Sequence, residues 1–334
     1  MDTLIEIQNL TKHFGSLTAV NGISFTVKRG EVLGFLGPNG AGKSTTMKML
    51  TGFLAPTSGS IEVAGHSVLD APIRAQECIG YLPEGAPLYP DMTPASLLRF
   101  VAAIRGMSGS SMRERIEQVI GQVHIEGVLH QSVETLSKGY KRRVGLALAI
   151  LHDPEILILD EPTDGLDPNQ KHEVRELIRR MAKDKAIVLS THILEEVDAV
   201  CTRAMVIDRG VVVADGTPEE LGARAAHHNV VRFSLRNASD AVEDELRDLA
   251  NVVAVDRLAD TNGKKCYQLT PLNRMSIVGE VSDLARTRNW EIEELVSQPG
   301  RLDELFREVT APDVPLSSSE SANTEPPKGE EVSA

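Results

Sequence analysis

Residues 37–45 read GPNGAGKST, that is Gly37, Pro38, Asn39, Gly40, Ala41, Gly42, Lys43, Ser44 and Thr45. The stretch fits the pattern G-x-x-x-x-G-K-[ST], and its setting decides the fold: the apolar run EVLGFL feeds into it as a strand and TTMKML leaves it as a helix. A strand that turns through glycines into a helix aims backbone N–H groups at one point, where the helix start also concentrates partial positive charge. Such a turn cradles phosphate oxygens. Lys43 is expected to reach the β and γ phosphates of a nucleoside triphosphate, and the Ser44 hydroxyl suits Mg2+. A glycine-rich turn without a ligand is the bland alternative, and the flanking strand and helix disfavour it.

Downstream, residues 156–161 read ILILDE, an apolar strand ending in two carboxylates. Adjacent acids at the end of a buried strand raise each other's pKa, and desolvation raises both, unless a cation is near. Asp160 would hold Mg2+ directly or through water, and Glu161 would polarise an attacking water as general base. Taken alone the pair reads as a helix cap or surface turn; beside the phosphate loop the catalytic reading is favoured. AIVLSTH then puts His192 at the end of a further strand, and ligands of open α/β sheets gather at the carboxyl ends of strands. His192 would hydrogen-bond a γ-phosphate and the water beside it, although a solitary strand-end histidine is ordinarily structural. In TDGLDPNQ, residues 163–170, Asp167, Pro168 and Gln170 suit the N-cap, N1 and N3 places of a helix, which gives Asp167 a sufficient structural reason.

Residues 136–143, LSKGYKRR, begin a helix with cations. Lys141, Arg142 and Arg143 there cost on the order of 0.3–1 kcal/mol each unless something negative is near. Solvent, a membrane, a nucleic acid and a bound phosphate are the candidate partners.

The whole chain has 35 Lys and Arg against 48 Asp and Glu, a net charge of -13, which argues against a general nucleic-acid binder. Its 334 residues exceed one ordinary domain and predict two domains and a tail. Cys78, Cys201 and Cys266 match no zinc or CxxC spacing and read as buried thiols of a reducing compartment. The N-terminus MDTLIEIQNLTKHF lacks the regions of a signal peptide, and no apolar run approaches the ~20 residues that span a bilayer, so a cytosolic chain is expected and any membrane role needs a partner.

Short strand-like runs fill residues 4–65, and helices fill roughly 90–152, with Thr93-Pro94 opening one and Ser111 with Glu114 as a candidate capping box for the next. Strands and helices alternate from 155 to 215, the mark of a parallel sheet with crossover helices. After 221 the order becomes β, α, β, β, α, β, compatible with a small ferredoxin-like unit, and Arg301 to Val309 reads as a closing helix. From Ala311 the chain is rich in Ser, Pro and Glu and reads as disordered.

In order and spacing, the phosphate loop, LSKGY at 136–140, ILILDE at 156–161, GLD at 165–167 and STH at 190–192 resemble the nucleotide-binding subunit of ABC transporters, over about residues 4–220. The resemblance implies an α/β P-loop NTPase cassette at 1–221, with a mixed sheet core and a helical subdomain at about 86–152. A small α+β accessory domain at 222–310 and the tail at 311–334 would follow. It implies ATP and Mg2+ as cofactors, Phe14 stacking on adenine, and Ser137, Lys138, Gly139 and Tyr140 as a signature that meets the nucleotide of the opposite subunit. Asp167 would lie at the dimer seam, and Ser44, Glu84 and Asp160 would ligate the metal. Two ATPase subunits, identical or paired, would close on two ATP molecules and power a separate membrane permease from the cytoplasmic face, engaging it through GAPLYPDMTPASLL after Glu84.

Two positions depart from the family pattern LSGGQ and its lid glutamine. Lys138 and Tyr140 stand in the signature, and YLPEG puts Glu84 at the lid position. Both variants resemble an export-type branch with multidrug-like and gliding-motility-like subunits. Lys138 either adds a charge-assisted contact to phosphate or points into solvent while Gly139 supplies the close approach. A soluble non-transport ABC ATPase and a nucleotide-sensing regulator are the alternatives. The single cassette without coiled coil disfavours the first, and the presence of Glu161 and His192 the second.

Overall fold

The computed structural model describes residues 2–225, 227–236, 241–261 and 264–310. Strands β1 (Thr3–Phe14) and β2 (Leu17–Lys28) precede β3 (Val32–Leu36), which runs through the phosphate loop into α1 (Lys43–Leu50). β4 (Ser58–Val63), β5 (His66–Ser67), α2 (Pro72–Glu77) and β6 (Ile79–Leu82) lead to three helices, α3 (Pro94–Ile104), α4 (Gly109–Val123) and α5 (Lys138–Ile150). Then come β7 (Ile156–Asp160), α6 (Pro168–Met181), β8 (Ala186–Thr191), α7 (Leu194–Val200), β9 (Arg203–Asp208), β10 (Val211–Gly216) and α8 (Pro218–Ala223).

Two sheets result, an antiparallel one ordered β2-β1-β4-β5 and a larger one ordered β10-β9-β3-β8-β7-β6. In the second, β9, β3, β8, β7 and β6 run parallel. The run VVVADG, expected within the parallel alternation, instead returns as β10 antiparallel to β9. Only Arg209 and Gly210 join them, both at positive φ (47° and 81°), and a two-residue loop makes a hairpin and cannot cross over. Alternate side chains of β7 part company. Ile156 and Ile158 enter the core between the two sheets, together with Met47 and Leu50 of α1, while Leu157 and Leu159 enter the core under α3, α4, α5 and α6. Cover on both faces explains an unbroken apolar strand.

Thr93 caps α3, accepting from Ser96 N at 3.2 Å, with Pro94 at the first helical position as expected. The second cap is a correction. α4 begins at Gly109, so Ser111 lies inside the helix and its hydroxyl turns back to the Ser108 carbonyl at 3.1 Å, the local bond that a short polar side chain makes when it does not cap.

Beyond α8 the order is β11 (Val230–Arg236), α9 (Val242–Arg247), β12 (Val252–Thr261), β13 (Lys264–Pro271), α10 (Val278–Thr287) and β14 (Glu291–Gln298). These strands form an antiparallel sheet ordered β12-β13-β11-β14. Val231, Phe233, Tyr267 and Leu269 pack from one face against Val242, Leu246 and Val281 of α9 and α10. The closing helix α11 (Leu302–Val309) does not join this core. Leu302 and Leu305 pack with Leu36, Val197, Val206 and Leu221 of the nucleotide-binding half. Gly222 and Gly300 make that return possible, since a Cβ on Gly300 would lie 2.1 Å from the Gly222 carbonyl oxygen. The segment 311–334, read from sequence as a tail, lies outside the described residues. The three cysteines are free; the Cys201 thiol is packed so closely that a Cβ on Gly34 would lie 2.7 Å from its Sγ, and burial raises its pKa, as expected of a buried thiol, while Cys78 and Cys266 are partly buried. Among the described residues no helix is long and apolar enough to cross a membrane.

Candidate active site

The phosphate loop is wedged between backbones, and this dictates Gly37 and Gly42. Gly42, the N-cap of α1 at φ 106°, approaches the Ala19 carbonyl so closely that a Cβ would lie 2.5 Å from that oxygen. A Cβ on Gly37 would lie 2.3 Å from the Ile207 carbonyl oxygen. The β9–β10 hairpin clamps the loop from outside: Gly210 N donates to the Ala41 carbonyl at 3.0 Å, and Asn21 N to the Gly210 carbonyl at 2.8 Å. Lys43 is buried and folds back along the loop, donating to the carbonyls of Gly37 at 2.7 Å and Pro38 at 3.1 Å. Burial lowers its pKa, opposed by the charges of Glu161, Asp160 and Glu84. A buried ammonium facing three carboxylates is a charge arrangement that bound polyphosphate would rebalance.

β7 delivers the paired acids to two different environments. Asp160 is buried, and its Oδ1 accepts from the Ser190 hydroxyl and, at 3.4 Å, from the Ser44 hydroxyl. Glu161 turns outward at φ 53°, and its backbone N–H donates to the carbonyl and hydroxyl oxygens of Ser190, each at 3.2 Å. Its carboxylate Oε1 lies 2.9 Å from Nδ1 of His192, at the end of the adjacent strand β8. A hydroxyl beside one buried carboxylate fits Mg2+, which takes few protein ligands and completes its shell with phosphates and water. Glu84 is exposed past the end of β6 and acts here through its field: after burial itself, Asp160 and Glu84 push the Tyr81 hydroxyl up to about 12.

Ser137 caps α5, accepting from Tyr140 N at 3.3 Å, and Gly139 is buried against α6, where a Cβ would lie 2.6 Å from Gln170 Oε1. Lys138 is exposed, as the solvent reading expects, but its ammonium is paired. Its Nζ lies 2.8 Å from Asp164 Oδ2, because its stem crosses Gly165, the position that leaves room for it. Asp167 caps α6 through Gln170 N at 2.9 Å. Phe14 ends β1 with its ring about half exposed and Lys12 Nζ 5.2 Å from the ring centroid.

The cations after the signature find partners inside the chain, not among the four candidates considered. Lys141 donates to the Glu134 carbonyl at 3.0 Å, and Arg143 donates to the Val123 carbonyl at 3.1 Å and to Glu173 at 2.7 Å. Arg142 is buried and donates to the carbonyls of Pro83, Asp160 and Glu161, tying α5 to the ends of β6 and β7. Burial lowers its pKa, against the pull of Asp164, Asp160, Glu161 and Glu84. Sequence reasoning also missed Glu196, a buried carboxylate of α7 that accepts from Thr163 and, at 2.8 Å, from Thr191. Burial raises its pKa.

Lys43, Ser44, Asp160, Glu161 and His192 gather around the phosphate loop at the carboxyl edge of a parallel sheet, and fold and site together define a P-loop nucleoside triphosphatase. A family model described as ABC transporter matches residues 20–164. Linearmycin resistance ATP-binding protein LnrL of Bacillus subtilis is 34% identical over 250 residues, 75% of this chain and 80% of that protein. Nod factor export ATP-binding protein I of Ralstonia nicotianae is 31% identical over 311 residues, 92% of this chain and 94% of that protein. A solved structure described as the ATP binding subunit of an ABC transporter is similar at 32% identity with a TM-score of 0.61, over 65% of this chain and 91% of the other. The chain belongs to the ABC transporter family, as an ATP-binding subunit that hydrolyses ATP.

Proposed function

We propose that this subunit hydrolyses ATP with Glu161 as general base and His192 as its positioning partner, as a dimer that powers export through a separate membrane permease. The Glu161–His192 contact at 2.9 Å carries the catalytic part. An imidazole N–H at Oε1 fixes the carboxylate so that its other oxygen can take a proton from a water aligned with the γ-phosphate. Lys43 and the amides of Gly40, Ala41, Gly42, Lys43, Ser44 and Thr45 hold the β and γ phosphates, with Gly37, Pro38 and Asn39 shaping the loop, and Phe14 stacks on the base. Ser44 and Asp160, with Glu84 at the rim, would hold Mg2+, whose charge offsets that of the phosphates. Ser137, Gly139 and Tyr140 serve the partner subunit's nucleotide, and Asp167 lies at the seam between the two.

The export reading rests on the name of the Nod factor export relative, on the resistance named for the other, and on the Lys138, Tyr140 and Glu84 variants. For the permease, support comes from a groove of about 500 Å³ between α2 and α3, rimmed by Phe53, Ile73 and Ile104, exposed by 80%, 72% and 68%. Large apolar side chains left that open mark a surface that a helix from another chain covers. Tyr89 and Phe100, edge to face with ring centroids 6.2 Å apart, extend it along the segment after Glu84. The subunit would then sit at the cytoplasmic face of the membrane. The β11–β14 unit is proposed to stabilise or regulate the dimer.

The test is Glu161→Gln. ATP binding and ATP-dependent dimerisation should persist while phosphate release falls by about 10²-fold or more. Turnover at the wild-type rate in that variant would remove Glu161 as the base.

A further inference from the structure

Between β7 and α6, the loop 161–167 is gripped from two sides. On one side Thr163 donates to Glu196, which also holds Thr191 at 2.8 Å, next to His192. On the other side stands Lys138. Its stem lies over Gly165, where a Cβ would come within 2.5 Å of Lys138 Cδ, and its ammonium ends 2.8 Å from Asp164 Oδ2. Asp164 in turn donates its backbone N–H to the Glu161 carbonyl at 3.1 Å. That hydrogen bond from Lys138 holds the Asp164 carboxyl below the usual range. Gly139 presses on the same segment, and its missing side chain makes room for Gln170 and Leu166.

Lys138, Asp164 and Gly165 therefore form one matched unit: a long cationic side chain, a residue without a side chain to pass over, and a carboxylate at the far end. An ion pair this exposed adds little to stability. What it fixes is the distance between the signature and the loop that begins at Glu161. We propose that Lys138 is a positioning residue for hydrolysis. By holding Asp164 it ties the signature to the loop after Glu161, so that engagement of the signature by the partner's nucleotide is passed to the Glu161–His192 pair of the same chain. The proposal rests on the dimeric reading above. It goes beyond both expectations for Lys138, since the side chain is exposed to solvent yet its ammonium is held by Asp164.

The experiment is a double-mutant cycle in the full chain with Lys138→Met, Asp164→Asn and their combination, read as steady-state ATPase against ATP concentration. Each single variant should lower kcat roughly 3- to 10-fold and bring the Hill coefficient toward 1, with KM within about 2-fold of wild type. The combined variant should be no worse than the weaker single one, and Lys138→Arg should retain most of the rate. Multiplicative losses in the combined variant would overturn the proposal. So would a loss in Lys138→Met without one in Asp164→Asn, which would put the lysine on phosphate, and so would unchanged kinetics in both. A wild-type chain that does not dimerise with ATP fails the dimeric reading itself, whereas a dimerising wild type with multiplicative losses fails only the assignment of Lys138.

Discussion

Replacing Arg142 by methionine should separate two neighbouring cations that the sequence presents as equals. Arg142 is 5% exposed and its guanidinium donates to three carbonyls, those of Pro83, Asp160 and Glu161. Hydrogen bonds from a charged group contribute about 1.5–3 kcal/mol each, so three amount to roughly 4–9 kcal/mol gross. Methionine avoids the several kcal/mol that burying a guanidinium costs, which leaves a net loss of about 2–4 kcal/mol. For a cassette of this size that lowers the melting temperature by about 4–16 °C. Lys141, one residue earlier, makes a single bond to the Glu134 carbonyl, and its methionine variant should change stability by about 0.5 kcal/mol or less. The difference extends to chemistry. The carbonyls that Arg142 holds belong to Asp160 and Glu161, and a displacement of about 1 Å there costs on the order of 10²-fold in rate. Circular dichroism melting curves of the three proteins, with phosphate release measured beside them, make the comparison. An Arg142→Met protein that melts within about 2 °C of wild type and keeps its turnover would refute the argument.

Gly42→Ala should weaken ATP binding by about 10-fold or more by titration calorimetry, because the new Cβ meets the Ala19 carbonyl oxygen at 2.5 Å and φ 106° is strained for alanine; unchanged affinity would show that the loop relaxes freely. His152, with Nε2 3.1 Å from the Ile79 carbonyl, has its pKa held down to about 4, chiefly by burial and then by Arg105. Its folded value lies below the ordinary 6.5, so the unfolded chain binds the proton first; stability is complete above about pH 6.5 and falls as pH drops toward 4. Allowing for partial exposure, the loss is about 1–2 kcal/mol, and His152→Gln should flatten that part of a urea-midpoint versus pH curve.

How much of this was legible beforehand divides along a physical line. Elements whose reason is local could be read: the loop that turns β3 into α1, the caps at Thr93 and Asp167, and the alternation of strands and helices all follow from a few adjacent residues. Ser111 was misplaced because a serine can bond backward as readily as it caps. The partners of Lys138, Arg142 and Arg143 could not be read, because Asp164, the Asp160 and Glu161 carbonyls and Glu173 lie 18 to 30 positions away and meet them only through packing of α5. At sequence level a cationic run looks like a request for an external anion; folding answers it with carbonyl oxygens that leave no trace in residue type. Glu196 was passed over for the related reason that a carboxylate in a helix reads as surface until its two threonine donors are seen.

The return of α11 has a consequence for the order in which this chain is made. Leu302 and Leu305 complete the packing around Leu36, Val197 and Leu221, so the nucleotide-binding half is not closed when residue 221 leaves the ribosome. The sheet from β11 to β14 is an excursion that departs at Gly222 and comes home at Gly300, where the two backbones touch. Roughly 80 residues intervene, about 4–16 s of synthesis, during which an apolar seam beside α7 stays open. A truncation at 221 would make that interval permanent, whereas joining the two glycines with a short linker would remove the excursion and keep the seam sealed.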